Sequence, residues 1–286
     1  MYKLLLVSED PEVLKAFESV DDWEKLGFRT PKVLSNTEEA IAYLQKHHMD
    51  GISFSLPGEA SFALGKYLTE QRPLMPIMLA GHTREEVLEN VRELYRLLSW
   101  LYSDNSDERY SIEENMRRTR HAYFRTIISG HSQSRIDIRK KLSLVRSRMD
   151  PDRNCLLIRF ALPDNNGYLT GHWHYGPERL ENALRNIFGA ELEGLRLLES
   201  VVEDNTIYLL ACPMRGTPTM DPEYARTIVR NHVDATISHV YEYLGLELRV
   251  DGVIQLPNVM ALADPGVLPE LPTHQPKAEE GLEWAF

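Results

Sequence analysis

The sequence has no apolar run that approaches the roughly 18 residues of a membrane-spanning helix, so we expect no membrane span. Cysteine is nearly absent, and the two that occur, Cys155 and Cys212, lie in apolar, strand-like segments. This usage favours buried free thiols in a reducing compartment over a disulfide. The chain starts directly in a predicted strand instead of a signal peptide, which favours a cytoplasmic protein.

The sequence motifs of common enzymes are missing as well. There is neither a Gly-rich phosphate loop nor a nucleophile elbow, the turns that position a nucleotide or a catalytic serine in many enzymes. We therefore expect no catalytic residues, no cofactor and no enzymatic activity.

The composition is that of an ordinary globular protein with an excess of acid. Of the 286 residues, 43% are hydrophobic, and 43 acidic against 32 basic side chains give a net charge of −11. This charge disfavours nonspecific nucleic-acid binding by the whole molecule, because phosphates would be repelled. The length allows two domains of ordinary size.

The first hundred residues alternate between short apolar runs and amphipathic helix patterns. Predicted strands cover residues 4–7, 30–34, 51–56, 75–80 and 99–102. Predicted helices cover residues 11–18, 37–47, 60–70 and 83–98, the second capped by Asn36 or Thr37. This repetition predicts an α/β domain over residues 1–104, with a doubly wound parallel sheet of five strands.

A helical linker is predicted over residues 105–150, with helices at 107–129 and 135–149 on either side of "SGHSQS". Side chains at helical spacing share one face of the first helix: Ile112, Met116, Thr119, Tyr123 and Ile127. This face either packs on the core of its own chain or pairs with a second copy. We favour a homodimer formed through the 107–129 helix.

The pattern then changes to one strand (155–162), a helix (177–188), a hairpin (195–214), a helix (222–243) and a last strand (246–255). This order predicts an α+β domain with an antiparallel sheet over residues 151–256. Residues 257–286 contain five prolines and no sustained periodicity, which predicts an extended tail.

Several segments near the N-terminus are those of a known signalling family. "YKLLLVSEDPEVL", "NTEEAIAYLQKHHMDGISF" and "PIMLAGH" follow the outline of a receiver domain of the two-component response regulators. "DDWEKLGF" (21–28) resembles a segment of the subgroup that carries an AraC-type DNA-binding module. The resemblance covers residues 1–104 and implies the five-stranded, flavodoxin-like receiver fold.

An active receiver needs an acidic pair and an aspartate that hold Mg²⁺, the aspartate also being the phosphoacceptor, together with a hydroxyl and a lysine that contact the phosphoryl oxygens. By the resemblance, these roles fall on Ser8, Glu9, the neighbouring Asp10, Ser55, Ala80 and Ser103. Serine is a poor metal ligand and forms no acyl phosphate, and the alanine methyl group cannot hydrogen-bond a phosphoryl group. The resemblance therefore implies a degenerate phosphorylation pocket that holds no metal.

The second domain resembles the middle domain of the same subgroup, a degenerate nucleotide cyclase of the GGDEF type. The resemblance depends on the order of elements and on "AYFRTIISGHSQSRIDIRKKLSLV", which is similar to the helix end of that domain. The hairpin turn "VVEDNTIY" (201–208) has no glycine, and Arg159 lies where a metal-binding carboxylate would be needed. The resemblance therefore implies a domain with the GGDEF-type fold and without cyclase activity.

One region is strongly basic. Residues 115–148 contain ten Lys or Arg and a single acid, Asp137. The interaction surface predicted from this region consists of Arg117, Arg118, Arg120, Arg125, Arg139, Lys140 and Lys141. Either it contacts nucleic acid, or it is a helix face that is solvated or meets acidic protein surface; we favour the second alternative.

Two functions follow from the sequence. The favoured one is a non-catalytic signalling protein, a pseudo-receiver that is not phosphorylated and acts through protein–protein contacts. The alternative is a DNA-binding transcriptional response regulator whose helix-turn-helix output module is missing from this sequence, or whose output is the basic 115–148 helices. Sequence-specific binding in a gel-shift assay would favour the alternative.

Overall fold

The computed structural model describes residues 1–102, 111–128, 134–162, 173–175, 177–203, 206–264 and 266–267. The chain divides into two compact units. The first comprises Met1–Arg120 and Lys140–Ser147; the second comprises His121–Arg139 and the described residues from Arg148 onward. No helix in the described part of the chain is long and apolar enough to cross a membrane.

The first unit is built around a parallel sheet. Its strands are β1 (Leu4–Ser8), β2 (Lys32–Leu34), β3 (Gly51–Ser55) and β4 (Ile77–Met78), in the order β2-β1-β3-β4. The helices that follow them are α1 (Pro11–Glu18), α2 (Thr37–Lys46), α3 (Gly58–Gln71) and α4 (Arg84–Leu101). All five residues of β1 are buried, as expected of a central strand covered on both faces.

Side-chain caps fix the start of three of these helices. The Asp10 and Asn36 side chains each accept a hydrogen bond, at 2.9 Å, from a backbone N–H in the first turn of α1 and of α2. The Thr83 hydroxyl does the same for α4 at 3.2 Å. These contacts satisfy N–H groups that have no partner inside the helix, and they settle the cap of α2 on Asn36.

The predicted fifth strand is wrong. Residues 99–101 continue α4, and Tyr102 ends it with its ring stacked on that of Tyr2, 6.2 Å between centroids. Buried leucines at helical spacing explain the error: Leu94, Leu97, Leu98 and Leu101. A strand at this point would remove part of that stripe from the core. Among the described residues, the parallel sheet therefore has four strands.

Two helices follow, α5 (Ile112–Ile128) and α6 (Arg135–Leu144), and the division between the compact units falls within each of them. Helix α6 ends five residues before the predicted end. Arg146, with φ of 53°, turns the chain there and buries its guanidinium, which donates to the Met75 carbonyl and the Thr69 hydroxyl at 3.3 Å each.

The second unit has the predicted antiparallel sheet. Its strands are β5 (Cys155–Ala161), β6 (Glu191–Leu192), β7 (Leu195–Glu203), β8 (Thr206–Pro213) and β9 (Arg249–Leu256), in the order β6-β7-β8-β5-β9. Helices α7 (Pro177–Phe188) and α8 (Pro222–Leu244) complete a βαββαβ unit, the split βαβ arrangement, to which the two-residue β6 is added.

One core lies between this sheet and the two helices. It is formed by Leu156, Ile158, Phe160, Leu180, Leu184, Phe188, Leu197, Leu209, Val229 and Val233, among others. Residues Val259–Ala263, which the sequence assigns to an extended tail, form a short 3₁₀ helix with buried apolar side chains. The remainder of the predicted tail, 268–286, lies outside the described residues.

Candidate functional site

Three of the residues assigned to the degenerate pocket lie at the same edge of the parallel sheet. Ser8 and Ser55 are the last residues of β1 and β3 and are paired in register. Ala80 follows β4 by two residues. Because parallel strands end at one edge, the strand ends present two hydroxyls and a methyl group there. Ser103 lies outside the described residues.

The polar groups at this edge are used to hold the backbone. Ser8 is buried, and its hydroxyl accepts a hydrogen bond from the Asp10 backbone N–H at 3.0 Å. One oxygen of the Asp10 carboxylate caps α1 through the Glu12 N–H. Glu9 is exposed. We call Glu9, Asp10 and Glu12 the acidic cluster. Within it, the Asp10 carboxylate makes a structural contact, because it caps α1.

His82 was not singled out from the sequence, yet it lies beside this acidic cluster. Its Nδ1 atom is 3.9 Å from a carboxylate oxygen of Asp10 and 3.9 Å from one of Glu12. When protonated, the imidazolium would offset the charge of these two carboxylates. The sequence offers one indication of this role, which is that His82 follows Ala80 by two residues. The contact itself depends on how closely α4 approaches α1, which the sequence does not show.

The donor set does not suit the chemistry of a receiver. Among the described residues, no three His, Cys, Asp or Glu side chains come close enough to hold a metal ion. Mg²⁺ prefers hard, charged oxygen ligands in octahedral geometry, and two serine hydroxyls supply no charge. A serine at the acceptor position cannot form the acyl phosphate that a carboxylate forms. At this edge the structure shows Asp10 capping a helix, and the described strand ends supply hydroxyl and methyl groups.

The seven residues of the predicted basic surface are distributed over both compact units. Arg117 and Arg118 form ion pairs with Glu114. The Arg120 guanidinium donates to the Val145 carbonyl at 2.7 Å. All of these residues belong to the first unit.

The remaining members of this surface have similar partners. Arg125 donates to both carboxylate oxygens of the buried Glu181, at 2.8 and 2.9 Å. Ion pairs join Arg139 to Asp152 and Lys140 to Glu89, and Lys141 is half-buried. The basic sequence therefore does not form a continuous face of unpaired cations.

The apolar face predicted for dimerisation is partly occupied by the chain itself. Met116 and Ile127 are fully buried, together with Phe124, which the stripe omitted, whereas Ile112 is 38% exposed. Burial of these side chains within one copy favours core packing for most of α5. The homodimer stays a prediction.

In the second unit, Arg159 lies in β5 with little exposure and forms an ion pair with Asp251 of β9 at 2.6 Å. The sequence identified the arginine as misplaced for metal binding but not its partner, which depends on strand register. The turn between β7 and β8, residues 204–205, lies outside the described residues. At this point β5 contains an arginine that is paired with a carboxylate of the neighbouring strand.

Both cysteines are free and buried, as predicted. A hydrogen bond to Cys155 and burial raise the pKa of the Cys212 thiol well above its ordinary value. Both effects favour the neutral thiol, which is a poor nucleophile.

A cleft of about 370 Å³ opens beside the start of β5 and the first turn of α8, with a mainly apolar wall. Its polar side chains are engaged within the chain. Arg153 donates to the Thr217 and Pro218 carbonyls at 3.0 and 2.9 Å, and Gln255 accepts from Arg226 at 2.6 Å. The volume falls in the range of small-molecule sites, but two of the polar side chains in the lining, Arg153 and Gln255, already bond to the chain itself.

No family model matches this sequence, and no curated protein is significantly similar to it. The assignment of a function therefore depends on the residues and the geometry described above.

Proposed function

We propose that this chain is a non-catalytic signalling protein of the two-component type, a degenerate receiver joined to a degenerate GGDEF-like domain, which acts through protein contacts. The order of the parallel strands supports this proposal. Flavodoxin-like receivers have the order 2-1-3-4-5, and the described sheet has the first four strands in that order.

The observation that carries the proposal is the set of side chains at the carboxyl edge of the parallel sheet. Where a receiver needs carboxylates and a phosphoryl-binding hydroxyl, Ser8, Ser55 and Ala80 lie together. The carboxylate of Asp10, which follows β1 by two residues, is used to cap helix α1. A protein that retained the sheet and replaced these groups would transmit a signal by binding and not by phosphorylation.

The ion pairs of the basic helices favour protein contacts over DNA binding. Five of the seven cations already pair with a carboxylate of the same chain. Binding a DNA phosphate would require these pairs to be broken, which reduces the electrostatic gain on which DNA affinity depends.

Phosphorylation can be tested directly. The intact protein is incubated with acetyl phosphate and Mg²⁺, and its mass is measured under mild conditions. We expect no phosphoryl adduct, because no carboxylate occupies the acceptor position. An active receiver, treated in parallel, must show the adduct. A stoichiometric adduct on this protein, lost in a Glu9→Gln or Asp10→Asn variant, would overturn the proposal.

A further inference from the structure

A second cleft lies at the opposite, amino-terminal edge of the parallel sheet. It has a volume of about 230 Å³ and is formed where β1 and β2 begin and where α2 ends. The side chains that give this cleft its chemical character are Lys3, Arg29, Lys32, Tyr43, His47 and His48. We call it the amino-edge cleft.

The amino-edge cleft concentrates positive charge in a protein of net charge −11. Lys3, Arg29 and Lys32 are cationic at neutral pH, and within the described part of the chain no carboxylate forms an ion pair with them. This contrasts with the basic helices, where five of the seven cations pair with a carboxylate. Cations left unpaired around one concave surface focus the field and attract anions.

Asp50, an acid next to the cleft, already has partners in the chain. The Asp50 carboxylate accepts the Lys3 backbone N–H at 2.7 Å through one oxygen, and its other oxygen lies 3.2 Å from His48 Nε2. Asp50 thus anchors the backbone at the start of β1 and is not directed at the Lys3 ammonium. Asp50 offsets part of the positive charge, but one carboxylate against three cations leaves the surroundings of the cleft with an excess of positive charge.

The backbone around the cleft is held in place. The Tyr2 N–H donates to the Gly27 carbonyl, and the Arg29 N–H donates to the Tyr2 carbonyl, both at 2.9 Å. The Asp50 N–H donates to the Lys3 carbonyl at 2.9 Å. The segments that carry Lys3 and Arg29 are therefore fixed side by side, so that little ordering of the backbone is needed on binding.

One wall of the cleft is aromatic. The rings of Tyr43 and His47 lie 4.2 Å apart between centroids at 31°. The Lys32 ammonium lies 5.9 Å from the centre of the Tyr43 ring, a cation–π distance. The cleft therefore places aromatic rings next to the cations that would hold the charge of a ligand.

We propose that the amino-edge cleft binds a small phosphate ester, with the phosphate group between Lys3, Arg29 and Lys32. Arginine and lysine form strong, charge-assisted hydrogen bonds with phosphate oxygens. The volume admits a phosphate group with a small substituent, and the Tyr43 ring favours a planar one. This site is separate from the degenerate pocket, which lies at the other end of the same strands, and it goes beyond the proposed function.

The proposal is tested by calorimetric titration of the full chain, at low salt, with adenosine monophosphate, inorganic phosphate and adenosine. We expect saturable binding of the first two, and none of adenosine at the same concentrations. The variants Arg29→Gln and Lys32→Gln should each weaken binding of the monophosphate about tenfold, the loss of roughly 1.4 kcal/mol typical of one charged hydrogen bond.

The matched control is Lys15→Gln, which removes the same charge from an exposed position in the last turn of α1. This variant should bind adenosine monophosphate with the same affinity as the unmodified protein. The comparison separates the effect of net charge alone from the effect of the cleft. Equal weakening by all three variants, binding of adenosine as tight as that of the monophosphate, or no saturable binding of any phosphate would overturn the proposal.

Discussion

Arg159 and Asp251 form an ion pair between neighbouring strands of the antiparallel sheet, with 10% and 13% of their side chains exposed. Moving two charges out of water is unfavourable, and their attraction compensates only while both are present. Removing one partner leaves the other charged and poorly hydrated. The pair is therefore a point where a single substitution should have a large effect on stability.

We predict that Asp251→Ala lowers the free energy of unfolding by about 3 kcal/mol, because it removes a carboxylate that forms an ion pair with the little-exposed Arg159 guanidinium. Urea denaturation followed by circular dichroism measures the change. The double variant Arg159→Met/Asp251→Leu should recover most of it, since apolar side chains have no charge to desolvate.

The control for this prediction is the exposed pair Arg249 and Glu247, which lies next to β9 with about half of each side chain in solvent. Glu247→Ala should change the free energy of unfolding by less than about 0.5 kcal/mol, as is usual for surface pairs. Equal effects of Asp251→Ala and Glu247→Ala would contradict the importance assigned to the buried pair.

At the scale of elements, helix α4 approaches the end of β4 so closely that only glycine fits between them. A Cβ atom on Gly81 would lie 2.8 Å from the Val87 backbone nitrogen and 3.0 Å from the Glu86 Cβ. Both neighbours belong to the first turns of α4, which cannot shift without losing the Thr83 cap. The same approach brings His82 toward the acidic cluster at the carboxyl edge of the sheet.

We predict that Gly81→Ala lowers the free energy of unfolding by about 1–3 kcal/mol, the usual effect of overpacking. Thermal or urea unfolding measures it. The matched variant is Gly65→Ala in α3, where an added methyl group meets no atom within 4 Å. It should stabilise the protein by about 0.5–1 kcal/mol, because alanine restricts the unfolded chain and favours helix. Stabilisation by both variants would refute the close approach.

Strong local patterns made most elements of this chain predictable. The 177–188 helix has the predicted ends, because its apolar periodicity and the initial proline are both local signals. The prediction of a fifth strand failed because a short apolar run can continue a helix as well as form a strand. The two-residue β6 is too short to show alternation, and it exists through its pairing with β7.

At the scale of the whole molecule, the division into compact units could not be read from the sequence. It falls within α5 and α6, where the helical periodicity continues without interruption. The identity of the strand-end residues Ser8, Ser55 and Ala80 could be read, whereas the contacts of His82 and Asp251 depend on long-range packing. The residues at the strand ends could therefore be identified from the sequence, whereas their contacts with distant parts of the chain could not.

The central claim is that the neutral strand-end residues Ser8, Ser55 and Ala80 leave the neighbouring Asp10 with too few carboxylates beside it to hold a divalent ion. The most direct test is calorimetric titration with Mg²⁺ of the unmodified protein and of the variant Ser8→Asp/Ser55→Asp, which restores two carboxylates beside Asp10. The account predicts no saturable binding by the unmodified protein and saturable binding by the folded variant. Saturable Mg²⁺ binding by the unmodified protein that is abolished by Asp10→Asn would contradict it.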